Sequence, residues 1–445
     1  MPVSPARATA FDILLKVEQA DAYASDLLHS FHGKKLSQAD HGLATELVMG
    51  VLRWRSLLDR HIAPHSSRPL QKLDAAVLTA LRLAAYQLEF LERVPQRAAV
   101  HESVELVKRA HKRSAVPFAN AVLRKMAAST PRTDHAEAVR KASTIRKLSE
   151  ASAHPLWLVE RWARNLGFDA AREICEHDQA APETAIRLGA LATEADLERQ
   201  GIHLSPGRLL SCARRVLSGD ITSAEAFRRG QVAIQDEASQ LVALLVGRAT
   251  SILDCCAAPG GKTQLIADRN PNAAIIAVEL HRHRARTLRK LVRAENVQVI
   301  AADARQIPLS SRFDRVLVDA PCSGTGTLAR NPEIKWKLRT NDLSNLQSRQ
   351  LAILQSAMKY LQPGGRLVYS TCSLEPEENS EVVERALASD GLFHLLDCRV
   401  ELELLRSQGE LAWDDIESLV SRPYLRTIPG LHPCEGFFAA LIGRK

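Results

Sequence analysis

The sequence is poor in aromatic side chains. Phe, Trp and Tyr make up 4% of its 445 residues, so nothing in the composition advertises stacking platforms for bare bases. Its eight cysteines contain no CxxC pair, which argues against a structural zinc site and leads us to expect no metal. No apolar run is long enough to span a bilayer, so no membrane partner is expected. Residues 1–20, MPVSPARATAFDILLKVEQA, lack the apolar stretch of a signal peptide. Free thiols without such a signal point to a reducing, cytoplasmic setting.

What is present is a globular composition, 46% apolar and 25% charged. The length is too great for one ordinary core, so two or three domains are expected. The net charge is +8 and the isoelectric point about 9.1. A basic balance favours a polyanionic partner, because phosphate contacts release counterions. Most of the excess lies early: residues 1–130 hold 18 Lys and Arg against 12 Asp and Glu, a net of +6.

The first segment has helical periodicity. Residues 75–91 place Leu81, Ala85 and Leu88 on one face, and residues 97–109 and 117–126 continue the pattern. An all-α domain over residues 1–135 is expected. Near its end Lys108, Arg109, Lys112, Arg113, Arg124 and Lys125 form a basic cluster; such clusters are usually only a solvated helix face. Residues 136–232 read as a connector followed by a small α+β subdomain.

Residues 233–445 change rhythm. SILDCCAA, AAIIAVEL, VQVIAAD, RVLVDAP and GRLVYSTC alternate with helix-like stretches, which predicts an α/β domain with a parallel sheet. Pro363, Gly364 and Gly365 predict a turn ahead of the last of these strands.

Four motifs carry chemistry. Asp254-Cys255-Cys256-Ala257-Ala258-Pro259-Gly260-Gly261-Lys262-Thr263 follows one strand and opens a helix. It is neither GxGxxG nor a P-loop. Its glycines let a ligand approach the backbone, and the helix N-terminus suits an anion such as a carboxylate. Acids recur at strand ends: Asp254, Glu279, Asp303 and Asp319. Any one of them could be a cap; four together favour a site, because ligands of such sheets bind at the carboxyl ends of the strands.

The remaining two motifs, Asp319-Ala320-Pro321-Cys322-Ser323-Gly324-Thr325-Gly326 and Tyr369-Ser370-Thr371-Cys372-Ser373, each set a cysteine just past a strand. If those strands are neighbours, both thiols face one cleft. A lone cysteine is most often a small buried hydrophobe, but a pair has a use. A thiolate adding to C6 of cytosine makes C5 nucleophilic enough to take a methyl group. Asp319 could assist at N3, and Lys262 could add positive potential. Spacing leaves open which cysteine attacks.

DCCAAPGGKT, DAPCSGTGTLARNPEIKW and YSTCSLEPEEN resemble motifs of the RNA cytosine-5 methyltransferases of the Sun/Nop2 superfamily, and Glu435-Gly436-Phe437-Phe438 is similar to that family's last strand. The likeness covers roughly residues 180–445. ADHGLATELVMGVLRWRSLLDRHI, RLAAYQLEFLERVPQRAAVHESVELVK and FANAVLR resemble the NusB-like helical RNA-binding domain. Together they resemble the bacterial 16S rRNA cytosine-5 methyltransferase B family (Sun or Fmu).

The resemblance implies a Rossmann-like class I methyltransferase fold, S-adenosylmethionine as methyl donor, and 16S rRNA of the small ribosomal subunit precursor as partner. It sets Cys256, Ala257, Ala258, Pro259, Gly260, Gly261 and Lys262 against the methionine part of the donor. Glu279 would hold its ribose, Asp303 would lie by the adenine, and Asp319 between donor and base. It makes Cys372 the nucleophile and Cys322 an aid to product release. Cys255 stands where Leu is commoner, and Thr327-Leu328-Ala329-Arg330 varies the usual stretch. Three alternatives stay open: the same chemistry on 23S rRNA or tRNA, a non-catalytic ribosome-assembly factor, and an antitermination module built on the first domain.

Overall fold

The computed structural model describes residues 3–20, 22–31, 36–129, 134–189 and 192–445. The chain forms two compact units. One is Met1–Ala181 with Leu328–Lys337, and the other is Pro182–Thr327 with Leu338–Lys445. Among the described residues no helix is long and apolar enough to cross a membrane.

The first unit is helical. Pro5–Gln19, Gln38–Ile62, Ala75–Phe90, Gln96–Arg109 and Val116–Ser129 are its larger helices. Local chemistry starts them: Pro5 occupies a first-turn position, while the Ser37 and Asp74 side chains accept from Asp40 N–H and Ala76 N–H. In Gln38–Ile62 the buried Leu47, Val51, Trp54, Leu58 and Ile62 recur at helical spacing and pack with Phe11, Leu81, Leu83 and Leu106. On the face expected over residues 75–91, Leu81 and Ala85 are buried and Leu88 is half-buried.

Residues 156–179, read as the start of the small α+β subdomain, form the helices Leu156–Leu166 and Phe168–Gln179 and fall in this unit. Leu328–Lys337 joins them by polar anchoring. The Lys335 ammonium donates to Arg53 O at 2.8 Å, the Arg53 guanidinium donates to Ala329 O at 3.0 Å, and the Trp336 indole donates to Leu52 O at 2.6 Å. Lys335, Asp178 and His154 are all buried; burial pulls the Lys335 ammonium down to about 7 and pushes the Asp178 carboxyl up to about 7.

The second unit opens with a small antiparallel sheet of β1 (Thr184–Leu188), β2 (His203–Pro206), β3 (Ala213–Ser218) and β4 (Val232–Ile234), in the order β2-β3-β1-β4. Its own core includes Ile186, Leu197, Ile202 and Val232.

The large sheet contains β5 (Ser251–Asp254), β6 (Ala274–Glu279), β7 (Val297–Ala301), β8 (Phe313–Asp319), β9 (Leu361–Thr371), β10 (Phe393–Leu396), β11 (Val420–Ser421), β12 (Tyr424–Arg426) and β13 (Phe438–Arg444). Its order is β11-β12-β13-β9-β8-β5-β6-β7, with β10 also paired to β13. Five strands, from β7 to β9, are parallel as expected. β13 then runs antiparallel to β9, and β10, β11 and β12 join antiparallel, so the sheet is mixed. The chain reaches β6 and β7 on one side of β5, and β8 and β9 on the other. That reversal is a topological switch point, where such sheets bind ligands.

One local expectation is corrected. The turn expected ahead of the last parallel strand lies inside it. Pro363-Gly364-Gly365 falls within β9, where pairing jumps from Phe313↔Leu361 to Arg315↔Arg366. The surplus residues are absorbed as an irregularity, with Gly364 at φ +72°.

Candidate active site

The motif after β5 is built around Asp254. This buried carboxylate accepts from the Thr263 hydroxyl at 2.8 Å and from Cys256 N–H at 3.4 Å, so it braces the turn from within. Burial pushes its pKa up to about 7, against the opposing pull of Thr263. The turn is also tied to β6, because Ala257 N–H donates to Val278 O at 2.9 Å. Gly260 has φ +117°, and a Cβ there would lie 2.7 Å from Leu288 and Val292 methyl groups, so glycine is needed at this position. Gly261 begins helix Gly261–Arg269. Beside it stands Gln235, whose buried side-chain oxygen has no hydrogen-bond partner among the described residues.

Lys262 and Asp319 form an ion pair of 2.8 Å, with the ammonium 5.0 Å from the centre of the Phe437 ring. Burial lowers the ammonium's pKa, but the charge and hydrogen bond of Asp319 outweigh it and the net shift is upward; Cys372 adds to that rise. The other Asp319 oxygen accepts from the Ser370 hydroxyl at 2.8 Å. Asp319 and Ser370 are directly paired across β8 and β9.

Glu279 ends β6, is buried, and accepts from His281 N–H at 2.8 Å. Asp303 lies two residues past the end of β7. Its oxygens accept from Arg305 Nε at 3.0 Å, and this bonding holds its pKa below the ordinary carboxylate value. In spatial order Asp303, Glu279, Asp254 and Asp319 therefore stand at the carboxyl ends of four adjacent strands.

The two cysteines come together. Cys372 is the first residue after β9 and Cys322 the third after β8, and their Sγ atoms are 3.2 Å apart. The hydrogen bond to Cys372, reinforced by burial, pushes the Cys322 thiol well up. Burial does the same to Cys255 and Cys256, which leaves them poor nucleophiles. Backbone bonds lock the surroundings: Gly326 N–H donates to Cys372 O at 2.9 Å and Gly436 N–H to Gly326 O at 2.8 Å. A Cβ on Gly326 would collide with the Gly436 carbonyl oxygen, so two motifs distant in sequence interlock only as glycines. Among the described residues no group of His, Cys, Asp and Glu is arranged to hold a metal ion.

The site residues expected in the second unit thus gather along one sheet edge. Ser370, Phe437 and Glu378 lie within the quoted motifs but received no role there, and Gln235 lies outside them; their part emerges only when the fold sets them beside Asp319, Lys262, the cysteine loops and Gly261. In the first unit, three residues of the basic cluster are paired with acids: Lys108 with Glu105 at 2.6 Å, Arg109 with Asp12 at 2.8 Å and Lys112 with Asp74 at 2.7 Å. Arg97, His101, Lys108 and Arg124 line a groove of about 810 Å³ on this unit, with Val100, Val104 and Pro117 in its lining.

Comparison with known proteins follows the same division. Residues 242–443 match the family model described as 16S rRNA methyltransferase RsmB/F, and residues 4–128 match the NusB family. The chain is 35% identical over 462 residues to a Bacillus subtilis protein named "Probable ribosomal RNA small subunit methyltransferase B", covering 100% of both chains. It is 30% identical to the ribosomal RNA small subunit methyltransferase B of Vibrio cholerae, covering 99% of this chain and 97% of that one. The crystal structure of PH0851 shares its fold, with a TM-score of 0.81 over 100% of both chains at 22% identity.

Proposed function

The chain belongs to the ribosomal RNA small subunit methyltransferase B family, and from that premise we propose that it transfers a methyl group from S-adenosylmethionine to C5 of a cytosine in 16S rRNA, through a covalent bond between Cys372 and C6. The contact between Cys322 and Cys372 carries this reading. One thiol is needed to attack and a second group to help the product leave. The resemblance of the two cysteine motifs to those of the family makes Cys372 the attacking sulfur and its neighbour Cys322 the group that helps the product leave. The Lys262 ammonium, whose pKa Cys372 raises, supplies positive charge beside the attacking sulfur.

The residues present fit the methyl donor. Gly260 and Gly261 open the backbone at a helix N-terminus for its carboxylate. The unpartnered Gln235 oxygen beside Gly261 is an acceptor for its ammonium. Glu279, buried at the end of the second strand, suits ribose hydroxyls. When bound, S-adenosylmethionine supplies an electrophilic methyl group on sulfur.

The chain's own groups then act in turn. The Cys372 thiolate adds to C6, and the Lys262 ammonium offsets the negative charge that builds on the pyrimidine, while Asp319, held by Lys262 and Ser370, hydrogen-bonds N3 in its protonated form. C5 takes the methyl group, the C5 proton is removed by a base, and the Cys372–C6 bond breaks with the electron pair returning to sulfur. In this reading Cys322, in contact with that sulfur, assists that last step. Asp303 completes the donor side near the adenine. The first unit, matched to the NusB family, is the candidate for holding the RNA of the small-subunit precursor.

The test is direct. Purified protein, unmethylated small-subunit rRNA and S-adenosylmethionine labelled on the methyl group should yield labelled 5-methylcytidine after digestion to nucleosides. Label in a different nucleoside would reject the C5 chemistry, and label only in 23S rRNA or tRNA would reject the substrate.

A further inference from the structure

Glu378 is a charged side chain with no exposure to solvent, and nothing in the chemistry above uses it. Its carboxylate is fully engaged. One oxygen accepts from Ser323 N–H at 2.8 Å and from the Gln350 amide at 2.9 Å. The other accepts from the Ser323 and Ser373 hydroxyls. The two hydroxyl oxygens are themselves 3.1 Å apart, and the Tyr369 hydroxyl donates to the Glu378 carbonyl at 2.6 Å. Ser323 directly follows Cys322, and Ser373 directly follows Cys372.

A buried carboxylate is expensive unless its lone pairs are filled. Here every donor but Gln350 comes from the residues next to the two thiols, and Gln350 also donates to Pro321 O at 3.0 Å, one residue before Cys322. The two strands fix where the loops start, since β8 and β9 are paired up to Asp319 and Ser370. They do not fix how the loops turn beyond their ends. We propose that Glu378 is a positioning residue for the thiol pair: its one carboxylate clamps the Cys322 loop to the Cys372 loop and so holds the two sulfurs in contact. Its negative charge also helps keep Cys322 protonated. The inference rests on the reading of the pair as reactive, yet it concerns the geometry of the pair.

The experiment therefore reads the pair without methylation. Diamide oxidises two neighbouring thiols to a disulfide, and its N=N bond takes up both hydrogens. Full-length protein is treated with diamide, and formation of the Cys322–Cys372 disulfide is timed by peptide mass, with alkylation of the exposed Cys212 as an internal control. Glu378→Ala should slow closure by about tenfold or more, because effective molarity falls steeply once two groups are no longer held together. Ser373→Ala, which removes one arm, should give a smaller slowing and serves if Glu378→Ala does not fold. In a Cys372→Ala background, adding Glu378→Gln should move the pH midpoint of Cys322 alkylation downward, a change that a purely structural role would not cause. Wild-type closure rates in folded Glu378→Ala or in Ser373→Ala, an unmoved midpoint, or a wild-type pair that does not close would each overturn the clamp. Failure of the wild type to methylate any RNA, with the closure results as expected, would instead reject the proposed function and leave the clamp standing.

Discussion

The sulfurs of Cys322 and Cys372 stand 3.2 Å apart at the ends of two adjacent parallel strands. They are fifty positions apart in the chain, and only the pairing of β8 with β9 makes them one site. Their roles separate by substitution. Cys372→Ala should abolish methylation and trap no RNA. Cys322→Ala should still attack but stall before release, accumulating a protein–RNA adduct that survives a denaturing gel. An adduct in the Cys372→Ala lane, or none with Cys322→Ala while the wild type turns over, would reverse the assignment.

Glu279→Ala should weaken S-adenosylmethionine binding by about tenfold to a hundredfold, the loss expected when charge-assisted hydrogen bonds to a buried ligand go. Calorimetry is the measurement, and an undiminished affinity would remove Glu279 from the site.

Asp254 gives the protein a pH-dependent stability term. An unfolded Asp ionises near its ordinary value of 3.8, whereas burial holds Asp254 protonated up to about 7. Between those values the folded state binds the extra proton, so this contribution is complete below about 4 and is lost as pH rises towards 7. Asp254→Asn cannot ionise. Its melting temperature relative to wild type should therefore be more favourable at pH 8 than at pH 4. A pH-independent difference in thermal melts would show that the Asp254 pKa is not raised.

RNA binding by the helical unit is best probed at residues outside its ion pairs. Reversing Lys108, Arg109 or Lys112 would set like charges against Glu105, Asp12 and Asp74 and mix stability with binding. Arg97, Arg113, Arg124 and Lys125 are exposed. Changing all four to Glu should weaken RNA binding and lower the salt slope by about one for each RNA phosphate that is no longer neutralised. An unchanged slope would assign these residues to an ordinary solvated face.

The sequence by itself determined a good deal. Helical periodicity around Leu81 and Ala85 marked the all-α unit, because a 3.6-residue repeat fixes which face is buried. Short β-branched runs ending in Asp254, Glu279 and Asp319 marked the α/β sheet and its carboxyl edge, because strand and ligand chemistry are both local there. The tertiary structure alone decided the rest. It turned the last strands antiparallel, since strand direction depends on which neighbour pairs with β13. It drew Leu328–Lys337 into the helical unit through Lys335, Trp336 and Arg53, hydrogen bonds that span most of the chain. It brought Cys322 to Cys372 and filled Glu378 with donors from both loops. Hydrogen bonds between segments so far apart leave no periodicity and no spacing behind; they exist only once the sheet has set its strands side by side.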